Sequence, residues 1–270
     1  MPRKKAINLT EGDQIEHARR LAQSKTSIGS IGLKVKCKNP RQKKLLKTIR
    51  ECDITLVSGP AGTGKSYISI YAALDWLKSH PEECKKIIFI YPTEEDDGES
   101  LGFLPGTAEE KLNPWAAPDM YTIEKIINES TGKDNGRSIV EEMISKGVIE
   151  IHPTLWLRGL TIDNSFVIVS ECQNLGKDSL LKVLTRIGEN CKIVVSGDLK
   201  QISAKGIKKG KRESGLQYAL EVLTGLDEIG SVIFEVEDIV RNPLISKILF
   251  AWDPESYGYL KCIEEKDIDD

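Results

Sequence analysis

Gly59-Pro-Ala-Gly-Thr-Gly-Lys-Ser66 fits the pattern G-x-x-x-x-G-K-[ST] at every fixed position, and that pattern leaves the surrounding chain few folds to choose from. An apolar, β-branched run, Ile54 to Ser58, precedes the segment, and a helical pattern, Lys65 to Lys78, follows it. Strand, glycine-rich loop and helix in that order is the context in which the motif has meaning. The glycines let successive backbone N–H groups converge, and the helix that follows points its positive end at the same place, so the concavity takes phosphate oxygens. The residues of the cradle are Gly59, Pro60, Ala61, Gly62, Thr63, Gly64, Lys65 and Ser66. Lys65 is placed to bridge the β- and γ-phosphates of a nucleoside triphosphate, and Ser66 to ligate Mg²⁺.

The rest of the chain agrees with such a core. Short β-branched runs recur at Ile54 to Ser58, Ile87 to Tyr91, Val148 to His152, Phe166 to Ser170, Lys192 to Ser196 and Ser231 to Val236. They read as buried parallel strands. Helical patterns at Lys65 to Lys78, Ile139 to Lys146, Ser179 to Ile187 and Ser214 to Leu223 lie between them, so the expected fold is α/β, a doubly wound, mostly parallel sheet with helices on both faces. Asn39 and Pro40 form an N-cap and first-turn pair for a further helix that ends near Cys52. Three stretches break the alternation: Thr93 to Pro118 and Asn128 to Ser138 read as loops, and Leu199 to Glu213 as a basic loop. The expected organisation is an N-terminal arm over 1–38, with a helix starting near Thr10, a phosphate-loop domain over 39–255 and an acidic tail over 256–270.

With 270 residues, 40% of them hydrophobic and 29% charged, the chain is of ordinary globular composition and can bury a substantial core. Its formal net charge of -3 means that any nucleic-acid surface must be local. No apolar run approaches the ~20 residues needed to cross a bilayer, and the basic start Met1-Pro-Arg-Lys-Lys5 leads into polar residues, so no membrane partner and a cytoplasmic location are expected. The six cysteines include no C-x-x-C pair and none of the three histidines is near another, so neither a structural zinc nor a disulfide framework is expected.

A phosphate loop of this kind needs an acidic partner at the end of another buried strand. The run Phe166-Val-Ile-Val-Ser-Glu-Cys-Gln-Asn174 supplies it. Glu171 would take a proton from an attacking water, Gln173 would sense the γ-phosphate, and Ser170 would hold a metal-bound water by hydrogen bond, with Ser66 and Glu171 completing the Mg²⁺ environment. Another strand ends Val194-Val-Ser-Gly-Asp-Leu-Lys-Gln201, which sets Asp198 and Gln201 at the edge of the sheet where ligands bind in open α/β folds.

Together these residues resemble the PhoH-like P-loop ATPases, a family related to the ATPase core of superfamily 1 helicases. The resemblance covers roughly residues 39 to 252. It is carried by the phosphate loop and by Gly98-Glu-Ser-Leu-Gly-Phe-Leu-Pro-Gly106, Glu110-Lys111 with Pro114, Arg158-Gly159, Phe166-Val-Ile-Val169 with Glu171 and Gln173-Asn174, Leu184-Thr-Arg-Ile-Gly188, Gly197-Asp198 with Gln201, Ser214-Gly-Leu216 and Asp238-Ile-Val-Arg-Asn-Pro243. It implies a RecA/helicase-like core, ATP and Mg²⁺, RNA or single-stranded DNA as partner, and a homo-oligomeric ring for which a hexamer is one candidate; compact members of this type are frequent in phages, which would place the protein in the host cytoplasm. The resemblance also implies an adenine contact for Gln42, and for Arg241 a reach to a γ-phosphate, in cis or from a neighbouring subunit. Five positions depart from the family pattern. Ser170 stands where an aspartate is usual, Tyr91-Pro92-Thr93 replaces Arg-Pro-Ala, and Leu160 and Ala117 replace arginines. These losses weigh against fast hydrolysis.

Candidate nucleic-acid contacts are Lys205, Lys208, Lys209, Lys211 and Arg212 in the basic loop, and Trp156 beside Arg158, where ring and guanidinium planes suit base stacking. A strand-linked, helicase-like ATPase is the leading expectation. A slow-hydrolysing ATP switch, with Ser170 as the brake, and a small-molecule kinase are the alternatives.

Overall fold

The computed structural model describes residues 27–92, 108–157, 159–201 and 214–257. The arm helix near Thr10, the Gly98 to Gly106 segment, Arg158, the five cations of the basic loop and the acidic tail lie outside these residues. Among those described, the chain runs α1 (Pro40–Glu51), β1 (Ile54–Ser58), α2 (Lys65–Ser79), β2 (Lys86–Tyr91), α3 (Ala108–Thr131), α4 (Gly136–Ser145), β3 (Ile149–Pro153), β4 (Ser165–Val169), α5 (Lys177–Leu184), β5 (Cys191–Gly197), α6 (Gly215–Val222), β6 (Ile229–Ile233), α7 (Pro243–Trp252) and α8 (Pro254–Tyr257).

Six strands form one sheet in the order β3-β2-β4-β5-β1-β6, and every neighbouring pair is parallel. β1, β4 and β5 are buried along their whole length, as parallel strands covered on both faces must be. Alternate residues feed two cores. Val57, Ile87, Phe89, Phe166, Ile168 and Val194 meet the apolar faces of α1, α2, α3 and α4 on one side. Leu56, Ile88, Ile90, Val167, Val169, Ile193 and Val195 meet those of α5 and α6 on the other. The doubly wound α/β fold expected from the sequence is therefore present. Ile28 and Ile31, just ahead of α1, are also buried in the first core.

Three expectations need correcting. Thr93 to Pro118 is not all loop, because α3 begins at Ala108 with Pro114 and Pro118 inside it. Asn128 to Ser138 shortens to the few residues between Thr131 and Gly136. The prolines hid α3, whereas Ala116, Ile123, Ile126 and Ile127, spaced to share one helix face and all buried, hold it to the sheet. The last strand, expected over Ser231 to Val236, runs over Ile229–Ile233, because its register is set by pairing with Ile54 to Ser58. Beyond Phe234 the chain turns into a 3₁₀ segment, Val236–Asp238, closed by a capping box between Glu235 and Asp238.

Candidate nucleotide site

The phosphate loop leaves the C-terminal end of β1 and enters α2. Gly59, Gly62 and Gly64 have φ of 149°, 87° and 88°, values that side chains resist. Space is as limiting as conformation: a Cβ on Gly59 would lie 2.5 Å from Phe234 Cβ, and one on Gly64 2.6 Å from Gln42 Nε2. Around this loop α1 and the 236–241 segment form a brace. Gln42 is 3% exposed. Its Nε2 donates to Thr63 O at 2.8 Å and its Oε1 accepts from Lys38 N at 2.7 Å, so both ends of the amide are engaged. Asn39 Nδ2 donates to Asp238 O, Arg41 pairs with Asp238 at 3.2 Å, and Val240 N donates to Gly62 O at 3.0 Å. Arg241, exposed, packs its aliphatic stem toward Gly62 of its own chain, with Cδ 3.4 Å from where a Cβ would sit.

Lys65 Nζ donates to Gly59 O at 2.6 Å and Pro60 O at 2.8 Å. Burial lowers its pKa to about 8, against the attraction of Asp198 and then Glu171, while Arg241 adds a small push the same way as burial. Those influences put Asp198, Glu171 and Arg241 within electrostatic reach of the lysine. Ser66 is exposed on the first turn of α2.

Across the sheet edge, β5 separates β1 from β4, and the residues after β4 and β5 lock together. Gln173 Nε2 donates to Glu171 Oε2 at 2.8 Å, and Asp198 N donates to Gln173 Oε1 at 3.2 Å. Gly197 is required here, since a Cβ would stand 2.8 Å from both Gln173 N and Oε1. Glu171 is exposed with φ of 57°, a left-handed conformation uncommon for a glutamate. Asp198 is buried. Its Oδ1 accepts from Lys200 N, whereas Oδ2 is enclosed without a hydrogen-bond partner. Burial raises the Asp198 pKa against the opposing pull of the Lys200 amide and Lys65. Gln201 is exposed, and its backbone N–H donates to Asp198 O at 2.9 Å.

The structure thus brings Lys65, Glu171, Gln173, Asp198 and Arg241 together around the loop, with Gln42 beneath it. Trp156 is apart: it follows the edge strand β3, with one ring face stacked on His152 at 3.7 Å. A glycine cradle with no room for a side chain at Gly59 or Gly64, a lysine largely withdrawn from water and an unpartnered carboxylate oxygen are the surroundings that phosphate and a cation need.

A sequence profile for the family described as PhoH-like protein matches residues 34–253. The chain belongs to the PhoH-like protein family. The PhoH-like protein of Bacillus subtilis (strain 168) is 33% identical over 252 residues, covering 93% of this chain and 74% of that one. The PhoH-like protein of Synechocystis sp. is 34% identical over 247 residues, covering 91% and 70%. Among solved structures, the large terminase from a thermophilic bacteriophage overlaps with a TM-score of 0.43 at 10% identity, over 78% of this chain and 49% of that chain, a likeness too slight to carry any conclusion. No helix among the described residues is long and apolar enough to cross a membrane.

Within this PhoH-like P-loop protein, sequence reasoning passed over Asp119. It is 7% exposed on α3, and its Oδ2 accepts from Tyr91 OH at 2.7 Å and Ser170 Oγ at 3.2 Å. A signal was present: a carboxylate three residues after Ala116 and four before Ile123, on the face that buries both.

Proposed function

We propose that this PhoH-like protein binds MgATP at the phosphate loop and hydrolyses it in RNA or single-stranded nucleic-acid metabolism, acting as a homo-oligomer. The observation that carries the reading is the convergence of Lys65, Glu171, Gln173 and the unpartnered Asp198 oxygen on one loop. Lys65 holds two loop carbonyls that phosphate oxygens would replace as partners of its charge. Bound Mg²⁺ would neutralise charge on the phosphates; Ser66 would hold it directly, and Ser170 and Glu171 through water. Glu171, exposed and tethered by Gln173, is the group that takes the proton of the attacking water, and the same glutamine links it to Asp198. Arg241 lies beside its own Gly62, which favours action within the subunit.

The nucleic-acid part rests on the family resemblance and on the run of cations from Lys205 to Arg212. Support for self-association comes from α7. Leu244, Ile248 and Trp252, 56%, 52% and 86% exposed, follow one another at four-residue spacing along one side of that helix, close in sequence to Arg241. A second reading, a nucleotide switch that hydrolyses slowly, is favoured by Ser170, whose hydroxyl carries no charge of its own.

The test is phosphate release from MgATP by the purified chain, with and without single-stranded RNA or DNA, beside Lys65→Ala. Release that rises with one polymer and disappears in the variant is expected. Tight, Lys65-dependent ATP binding with no release under any condition replaces the ATPase by the switch, and phosphate passed to a small molecule instead of water replaces both.

A further inference from the structure

Phosphate-loop NTPases hold Mg²⁺ with the loop serine or threonine and with an aspartate at the end of a neighbouring buried strand. In this chain the residue that follows that strand, β4, is the uncharged Ser170, and the next carboxylate along, Glu171, is the one assigned to the attacking water. The structure brings another carboxyl group to Ser170 from elsewhere. Asp119 enters from α3, one residue after Pro118, and its Oδ2 lies 3.2 Å from Ser170 Oγ. The same oxygen accepts from Tyr91 OH at 2.7 Å. Tyr91 closes β2, directly beside β4, and Ser170 N donates to Ile90 O across the two strand ends. Two positions at which the sequence departs from the family pattern, 91 and 170, therefore meet on a single carboxylate that sequence reading had not considered.

The direction of the hydrogen bonds matters. Ser170 gives its only hydroxyl proton to Asp119, which leaves the Oγ lone pairs as acceptors and polarises them toward a donor on the other side. Tyr91 likewise donates, and burial together with the neighbouring Asp119 charge keeps its phenol protonated. The carboxyl group is thus held from two sides, and position 170 presents an oxygen backed by that group one hydrogen bond away.

Resting on the MgATP reading above, we infer that Asp119 is the positioning carboxylate of the metal site, acting through Ser170 in place of an aspartate at that strand end. Outer-sphere partners of this kind change metal affinity by about ten- to a hundredfold when removed. The inference is tested by titrating the full chain with a fluorescent ATP analogue in Mg²⁺ and again in EDTA, and taking the ratio of the two affinities. Asp119→Asn is expected to lower that ratio by about tenfold while leaving the EDTA affinity unchanged. Ser170→Asp on the Asp119→Asn background is expected to restore it. Ser170→Ala keeps Asp119 and Tyr91 in place and is expected to show the same loss, so the inference stays testable even if Asp119→Asn does not fold. Equal loss of affinity with and without Mg²⁺, an unchanged ratio in Ser170→Ala, or no rescue by Ser170→Asp overturns the role of Asp119 and leaves the MgATP reading intact. A wild-type ratio of one overturns that reading, and the inference with it.

Discussion

Lys65 carries a charge that the fold holds against its own solvation. Burial brings its pKa from 10.5 down to about 8 even with Asp198 and Glu171 nearby. The unfolded chain keeps the proton up to the ordinary lysine value, so through the window between the two the unfolded state binds more protons, and stability rises with pH. Traversing the whole shift is worth about 3 kcal/mol, and the span from about pH 7 to about pH 10 recovers about 2 kcal/mol of it. Lys65→Met removes the titrating group, while every other ionisable residue remains in both proteins. Urea unfolding of wild type and Lys65→Met, without nucleotide and across that range, should show the stability difference moving toward wild type by about 2 kcal/mol as pH rises. A flat difference, or one moving toward the variant, refutes the claim that the lysine is held charged at a cost. The same linkage predicts that ATP affinity of the wild type falls as pH climbs through about 8, because phosphate pairs only with the protonated amine.

Two further outcomes follow from the loop and its brace. Gly59→Ala must place a methyl 2.5 Å from Phe234 Cβ at a φ of 149°, and should cost about 2–5 kcal/mol in urea unfolding; a loss below about 1 kcal/mol would mean that Phe234 yields more easily than its full burial suggests. Gln42→Leu strips partners from Thr63 O and Lys38 N, and should destabilise by about 2–4 kcal/mol while weakening ATP and GTP binding by the same factor. A change in the ATP-to-GTP ratio would instead assign the amide to base recognition.

The strands and the phosphate loop were legible because their signals are local: a β-branched run, glycines at fixed spacing, a lysine at the helix start. Asn39-Pro40 announces α1 by the same logic, and Asn242-Pro243 repeats that signal at α7, where Asn242 Oδ1 caps Leu244 N. α3 stayed hidden for a different reason. Pro114 and Pro118 argue against a helix interior, and only burial of Ile123, Ile126 and Ile127 against the sheet overrides them. Asp119 was lost with that helix. Its meeting with Ser170 spans 51 residues of sequence and depends on how α3 crosses β2 and β4, which no short-range pattern encodes. Gln173 was legible as a candidate, but its link from Glu171 to Asp198 required the register of β4 beside β5.

In the proposed mechanism Glu171 activates water for hydrolysis at a loop that binds ATP independently of that step. The most direct test compares Glu171→Gln with wild type for ATP affinity and for phosphate release in the same Mg²⁺ buffer. Affinity within about twofold of wild type and release slowed by about a hundredfold or more are expected. Release at the wild-type rate in Glu171→Gln, with binding intact, would contradict it.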